Sequence, residues 1–327
     1  MGQPPVPRIP KGTSLSGKTV IVTGGNTGLG FEAARQFLTL NAARVIITAR
    51  SRSKGAEAVS ALRNYVEVKA ANPTAMIEVF ELDLDDYSSG MEFVKRVKRE
   101  VKEVDVLVCN AGVNFMDYQL SMSGHERVMQ VNCYTHFLIA LELLPLLRNT
   151  AQIKGTPSHL SFVSSSYHDS HTLSKKPIPA SQNIFSYFDD KVIYSGMTRY
   201  FDSKFVTNAF VIRLANIVPS SELVVNCLCP GQVATSFNRN LPIWLKGIMS
   251  VIVRFRARNV EEGARALVYA GCVAGEESHG GFLQHNKLDV HTPFLNTPRG
   301  KEFCEKLWTD TLVELRKLDP ELSSFSH

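Results

Sequence analysis

Tyr200 and Lys204 stand four residues apart in the stretch YFDSKFVTNAF, whose pattern is helical, so their side chains share one face. A phenol with an ordinary pKa of about 10 exchanges protons poorly near neutrality. An ammonium beside it favours the phenolate and lowers that value. Such a pair could deliver or remove a proton at a carbonyl or alcohol oxygen. Tyr194 has Thr198 four residues on, not a lysine, which leaves Tyr200 as the candidate. Tyr-x-x-x-Lys also arises by chance on helices, so its meaning depends on its surroundings. Ser164, Ser165 and Ser166 close a strand-like run, where a hydroxyl could hold a substrate oxygen, although serine also suits strand-end turns. Asn132 lies inside a long helical pattern. An asparagine there is unfavourable without a partner, so it is a candidate for holding a water or a backbone kink.

A second constellation points to a dinucleotide. The β-branched run Thr19–Thr23 passes straight into Gly24-Gly25-Asn26-Thr27-Gly28-Leu29-Gly30 and then into an amphipathic helix. Glycines at a strand-to-helix turn let the backbone approach a pyrophosphate, and the helix N-terminus supplies N–H groups and the positive dipole end. At the end of the second strand, where an NAD site offers a carboxylate to the ribose 2′-OH, the sequence reads Ala49-Arg50-Ser51-Arg52. Arginine suits the 2′-phosphate of NADP, with Arg50 the first choice and Arg52 the second. Asp83, with Leu84 beside it, follows the third strand and could accept from an adenine amino group; Asn110-Ala111-Gly112 follows the fourth, where small residues let the chain pass the riboses. Ligands of open α/β sheets bind at such strand ends.

The elements that must position these groups alternate. Strands are expected at 19–23, 44–48, 76–82, 105–109, 160–164, 223–228 and 281–285, with helices at 28–40, to about 70, 87–102, 124–148, 200–217 and 260–274. Buried β-branched runs separated by helices imply right-handed βαβ units, hence a single doubly wound α/β Rossmann domain with a parallel seven-stranded sheet covered on both faces. Residues 1–17 read as a flexible arm, 18–290 as the domain and 291–327 as a C-terminal helical extension. A long polar connection, 167–196, and an apolar segment within 236–258, LPIWLKGIMSVIVRF, interrupt the pattern.

The 327 residues are 44% hydrophobic and 20% charged with a net charge of +5, a composition that excludes general disorder. The basic residues are scattered rather than gathered on one face, so no nucleic-acid partner is expected. Six cysteines form no CxxC pair and no zinc spacing; they read as buried apolar residues, reduced thiols fit an intracellular, cytoplasmic setting, and no metal is expected. No signal peptide, myristoylation site or transmembrane run is read. Five histidines, His168, His171, His279, His285 and His291, have no spacing that fixes a partner and are read as surface or packing residues, His168 being a minor pocket candidate.

The ordered set Thr23–Gly30, Asn110–Gly112, Val131-Asn132, Val163–Ser165, Tyr200–Lys204 and Pro230–Thr235 resembles the short-chain dehydrogenase/reductase superfamily over roughly residues 15–290. The resemblance implies Tyr200 as general acid or base, Lys204 as the residue that lowers its pKa and holds the ribose hydroxyls, and Asn132 as holder of a water in a proton relay. It selects Ser165 over its neighbours, and implies that Thr235, and the backbone of Val233, meet the nicotinamide carboxamide after the Pro230-Gly231 turn. Ala49-Arg50, Ser165 followed by His168, and the lengthened connection before the tyrosine are similar to the retinol-dehydrogenase-like branch. Helix 301–308 is similar to fungal members of secondary metabolism. The stretch from Ser165 to Tyr200 spans 35 positions, longer than the family pattern.

The expected reaction is NADPH-dependent interconversion of a carbonyl and an alcohol on a bulky apolar substrate, with segment 236–258 as a lid. Retinoid, steroid or lipid-aldehyde substrates are one alternative. A non-redox or nucleotide-sensing fold relative is the other. For residues 241–255, plain core packing and contact with a membrane surface compete with the lid reading. An oligomer is possible in such a fold, although the C-terminal extension could cover the usual pairing helices.

Overall fold

A computed structural model describes residues 3–233, 257–289 and 293–325. Its framework is one sheet in the order β3-β2-β1-β4-β5-β6-β7-β8. The strands are β1 Thr19–Val22, β2 Arg44–Ala49, β3 Met76–Glu81, β4 Val106–Cys109, β5 Ser158–Val163, β6 Leu223–Cys229, β7 Phe282–Gln284 and β8 Lys287–Asp289. Neighbours from β3 through β7 are parallel. The strand order reverses between β1 and β4, which opens a crevice at their carboxyl ends.

The expectation of seven parallel strands holds, and an eighth is added. β8 runs antiparallel to β7 across a two-residue turn, His285-Asn286, with φ of 56° and 58°. Positive φ at both central residues is the twist a tight hairpin needs. Neither residue is glycine, so the turn carried little signal in the sequence.

Strands β1 to β7 feed both faces of the sheet. In β1, Ile21 joins the core beneath α4 (Tyr87–Glu100) and α6 (Thr135–Lys154), while Val20 and Val22 join the core beneath α1 (Gly28–Thr39). The charged helix expected to about residue 70 is two helices, α2 Arg52–Asn64 and α3 Val66–Ala71, broken at Tyr65 in an extended conformation. The long helix expected over 124–148 is also composite. It comprises the short α5 Arg127–Met129, a π-helical segment Gln130–Tyr134, and α6. Connection 167–196 folds around α7 Ile184–Asp189 and leads into α8 Gly196–Ala215. Helix α9 is Val260–Cys272 and α10 is Pro298–Leu315. No described helix is long and apolar enough to cross a membrane.

Residues 3–17 do not hang free as the arm was expected to. Val6 and Leu15 are 2% and 1% exposed, because apolar side chains in a polar, proline-rich segment find cover on the body of the domain. Segment 236–258, except for Ala257 and Arg258, lies outside the described residues, as do Thr235 and His291. The described histidines fit their packing role. His168 is 1% exposed and edge-on to Phe282, and His171 stacks on Phe205 at 3.8 Å.

The extension packs on α8, with Trp308 against Phe210 and Arg213 bonded to Glu305 at 2.8 Å. It is also fastened by charge. His125 sets Nδ1 2.8 Å from Asp189 and Nε2 3.3 Å from Glu314, whose other oxygen accepts from Lys317 at 2.7 Å. Burial opposes the His125 charge, but hydrogen bonds to Asp189 and Glu314 outweigh it and raise the pKa to about 9. The hydrogen bond from His125 takes Glu314 down to about 2.

A raised histidine stabilises fully below its unfolded pKa of about 6.5, and that contribution is lost as pH rises through the folded value; a depressed glutamate contributes above about 4.3 and loses its contribution as pH falls towards its folded value. Melting temperature measured from pH 5 to pH 9.5 should therefore decline above about 6.5, and His125→Gln should flatten that decline while lowering the value near pH 6. An unchanged slope in the variant would show that His125 carries no charge in the fold.

Candidate active site

The glycine turn sits where β1 meets β2 and β4. Gly24 has φ of 63°, and a Cβ there would stand 2.8 Å from the Ala111 Cβ, too close for any side chain. The Gly24 N–H donates to Thr48 Oγ1 at 3.0 Å. This holds the turn against β2 two residues before Arg50, which is exposed just beyond the strand end, with Arg52 exposed beside it. Helix α1 begins at Gly28 after Thr27, whose side chain makes no capping bond to the first turn, and that turn holds no acidic residue. The result is a narrow cradle, backed by a helix N-terminus, that fits a pyrophosphate; Asn26, Thr27, Leu29 and Gly30 complete it.

Thr23 ties this turn to β4. Its Oγ1 accepts from the N–H groups of Asn110 and Ala111 at 2.8 and 3.1 Å, and Asn110 Nδ2 donates to Thr23 O at 2.7 Å. With two donors already on that oxygen, its hydrogen points to His136 Nε2, 3.0 Å away. The ring hydrogen is thereby assigned to Nδ1, which faces Asn132 O at 3.5 Å. Burial lowers the His136 pKa to about 3, so the ring is neutral. Asp83 uses one carboxylate oxygen to accept from Asp85 N at 3.1 Å, which orders its own loop, and Leu84 is buried with its carbonyl accepting from Thr135 at 2.8 Å.

Asn132 lies in the π-helical segment. Its Oδ1 accepts from Val113 N at 2.8 Å, and its Nδ2 donates to Val113 O at 3.0 Å and to Ser203 Oγ at 3.0 Å. Ser203 Oγ in turn donates to Tyr200 O at 2.7 Å. One carboxamide thus joins the loop after Gly112 to the helix that bears the tyrosine. Gly112 faces both Asn132 and Lys204, since a Cβ there would stand 3.2 Å from Asn132 Oδ1 and 3.9 Å from Lys204 Nζ.

Ser165, Tyr200 and Lys204 converge at the end of β5. The side chains of Tyr200 and Ser165 interact. Ser165 Oγ also accepts from Tyr167 N at 3.3 Å, so the serine serves both the site and the turn that follows the strand. Lys204 Nζ lies 5.4 Å from the centre of the Tyr200 ring and donates to Val163 O at 2.7 Å. Burial lowers the lysine pKa to about 8.

The tyrosine corrects the simple expectation of a lowered pKa. Burial pushes the phenol well above its ordinary value, the nearby Cys229 adds to this, and the interaction with Ser165 works in the opposite direction. Desolvation outweighs the lysine because the ammonium lies over the ring and is engaged by Val163.

Cys229 Sγ accepts from the N–H groups of Ser166 and Gly231, both at 3.4 Å, which joins the serine turn to the Pro230-Gly231 turn. Val233 pairs with Arg258 in an isolated parallel bridge. The spacing-based reading did not single out Thr23, His136, Ser203 or Cys229 as positioning residues. His136 stands four residues after Asn132, a helical spacing that could have drawn attention to it.

A family model described as short chain dehydrogenase matches residues 18–171. Short chain dehydrogenase sor7 of Hypocrea jecorina is 54% identical over 290 residues, covering 88% of this chain and 81% of its own. This chain belongs to the short-chain dehydrogenase/reductase family. Short chain dehydrogenase macD of Penicillium terrestre is 37% identical over 97% of this chain and 96% of its own, and short-chain dehydrogenase/reductase tropG of Talaromyces stipitatus is 35% identical with the same coverage. Among solved structures, the RhlG/NADP active-site complex of Pseudomonas aeruginosa matches in fold with a TM-score of 0.61 at 23% identity, over 84% of this chain and 97% of that one. A Mycobacterium paratuberculosis protein of uncharacterised function matches with a TM-score of 0.63 at 25% identity, over 91% and 93%. The family makes the protein an oxidoreductase built around a nicotinamide cofactor. The family model ends before Tyr200, whereas the match to macD spans nearly the whole chain.

Thr23→Val keeps the shape but leaves two N–H groups and a histidine nitrogen without their partner. Urea unfolding should show a loss of about 1–3 kcal/mol, the cost of unsatisfied buried groups. A loss below about 0.5 kcal/mol would show that the joint between β1 and β4 does not depend on this hydroxyl.

Proposed function

We propose that the protein is an NADPH-dependent reductase that interconverts a carbonyl and an alcohol on a bulky apolar substrate. The observation that carries this reading is the convergence of Ser165, Tyr200 and Lys204 at the end of β5, with Lys204 over the phenol ring and held by Val163 O. When bound, the nicotinamide supplies or takes the hydride. In reduction, Tyr200 Oη gives its proton to the carbonyl oxygen as that carbon is reduced, and Ser165 Oγ donates to the same oxygen and orients it. In oxidation, Tyr200 takes the alcohol proton. The raised phenol pKa keeps Tyr200 protonated, the state a donor needs in the reductive direction. Lys204 places positive charge near the developing tyrosinate and holds the ribose hydroxyls. Asn132, with three side-chain hydrogen bonds to protein groups, keeps its place in the relay as the residue that aligns Val113 and α8.

Cofactor choice rests on Arg50. No carboxylate directly follows β2, and exposed Arg50 stands two residues after Thr48, which holds Gly24; this supports pairing of Arg50 with a 2′-phosphate. Gly24, Asn26, Thr27, Gly28, Leu29 and Gly30 would hold the pyrophosphate, Asp83 and Leu84 the adenine, Asn110, Ala111 and Gly112 the riboses, and Pro230, Gly231, Val233 and Thr235 the nicotinamide.

An apolar substrate is supported by the rim beside Tyr200. Gly196 lies directly against the backbone of Met116, and Tyr194 donates to Phe115 O at 2.9 Å, so loop 113–122 meets segment 191–197 there. Segment 191–197 carries exposed Val192, Ile193 and Met197. The resemblance to fungal enzymes of secondary metabolism points to the same kind of substrate.

Nicotinamide fluorescence titration tests the cofactor. Arg50→Ala should weaken NADPH binding by about tenfold or more and leave NADH unchanged, the signature of a lost charge-assisted pair. Equal affinity for both cofactors, unaltered by the variant, would remove the NADP assignment. With bulky ketones and aldehydes as substrates, Tyr200→Phe should lower kcat by about 10²- to 10⁴-fold while the NADPH dissociation constant stays within about twofold. Full turnover in Tyr200→Phe would show that the proton comes from another group.

A further inference from the structure

The N-terminal segment and the turn after β6 are joined by an unusual set of polar contacts. The side-chain amide of Gln3 pairs with both backbone groups of Gln232: its Oε1 accepts from Gln232 N at 2.9 Å and its Nε2 donates to Gln232 O at 2.9 Å. Arg258 N donates to the same carbonyl at 2.9 Å. The Arg258 guanidinium, 5% exposed, donates to Pro230 O at 2.9 Å, to Pro4 O, and to His285 Nδ1 at 2.6 Å. Glu262 completes the arrangement, with Oε1 3.4 Å from Arg258 Nε and accepting from Val6 N at 2.8 Å. Asn286 holds Pro7 O at 3.3 Å.

Gly231 is where these groups close. Its φ is 79°, and any Cβ would collide with Gln3 Oε1 and with Arg258 Nη1. The backbone of Pro230-Gly231-Gln232 is therefore gripped by Gln3, 229 positions from Gln232 in sequence, and by Arg258, which also holds Pro4 O. Cys229 Sγ accepts the Gly231 N–H. Three consecutive residues of a loop thus have their backbone groups bonded by side chains, which leaves the turn one preferred position rather than an ensemble.

We propose that Gln3 and Arg258 are positioning residues for the nicotinamide end of the cofactor, acting by clasping the Pro230–Val233 turn. The inference rests on the cofactor reading above. It adds that the arm, a segment with no catalytic motif of its own, sets the affinity for the nicotinamide half specifically. A turn held in one conformation before the ligand arrives has less ordering left to undergo on binding, so removal of the clasp weakens that half of the cofactor and spares the adenosine half, which binds across the sheet at Arg50.

The test compares two probes, NADPH and adenosine 2′,5′-bisphosphate, which carries the 2′-phosphate but no nicotinamide. Gln3→Met keeps the length of the side chain and removes both bonds to Gln232. Its NADPH dissociation constant should rise about tenfold while that of the bisphosphate stays within about twofold and the melting temperature is unchanged. In protein without cofactor, hydrogen exchange over 229–233 should accelerate in Gln3→Met and in Arg258→Gln, with exchange in β1 and β4 unaffected. Wild type that bound neither probe would overturn the cofactor reading and this inference with it. Wild type that bound both, with Gln3→Met indistinguishable from it, would overturn the clasp alone. Equal weakening of both probes with a lowered melting temperature would also overturn it, since the arm would then stabilise the domain as a whole.

Discussion

The side chain of Asn132 is the joint on which the arrangement of the site depends. A carboxamide can make four hydrogen bonds, and here three are directed at two separate pieces of chain: both backbone groups of Val113, and Ser203 in the helix that carries Tyr200. The π-helical segment at Gln130–Tyr134 puts the carboxamide in reach of both. Breaking that joint would leave buried N–H and C=O groups unpaired at Val113, which costs more than a hydrogen bond at the surface contributes. The loop after β4 and α8 are therefore held together as one body, and the cofactor crevice lies between that body and the glycine turn.

A parallel joint closes the other side. Thr23 and the neutral His136 link the glycine turn to Asn110 and back to Asn132 through its carbonyl. The network holds together because the histidine is uncharged: a buried imidazolium would present a donor to the threonine hydrogen and lose the contact. Burial that keeps His136 neutral is thus part of what fixes the crevice.

Electrostatics at the reacting end are set by desolvation more than by pairing. Lys204 is buried with a carbonyl oxygen, Val163 O, as its partner, and Tyr200 is lifted rather than lowered. A fold built only for stability would give a buried ammonium a carboxylate, because a buried charge without one is costly. Elsewhere the same molecule does so: Arg199, one residue before Tyr200, pairs with Glu126 at 3.2 Å, both nearly inaccessible. Arg199 and Lys204 lie five residues apart in α8, and the contrast between their partners is consistent with the role proposed for Lys204.

From the sequence alone, the order of strands and helices, the doubly wound class and the groups able to do chemistry were all legible, since β-branched runs, helical spacing and a glycine turn are local signals. Residue type and spacing single out Ser165, Tyr200, Lys204, Asn132 and the glycine turn, and in the fold Asn132 is bonded to the helix that carries Tyr200 and Lys204. Other features were not legible because they depend on contacts distant in the chain. The eighth strand needed two non-glycine residues at positive φ. The arm lies on the domain through burial of Val6 and Leu15 and through contacts with Gln232, Arg258 and Glu262, all distant in sequence. The direction of the Tyr200 pKa shift, too, was decided only by the tertiary structure. Spacing along a helix determines which side chains are neighbours, whereas the protonation equilibrium depends on how much water the packed fold excludes.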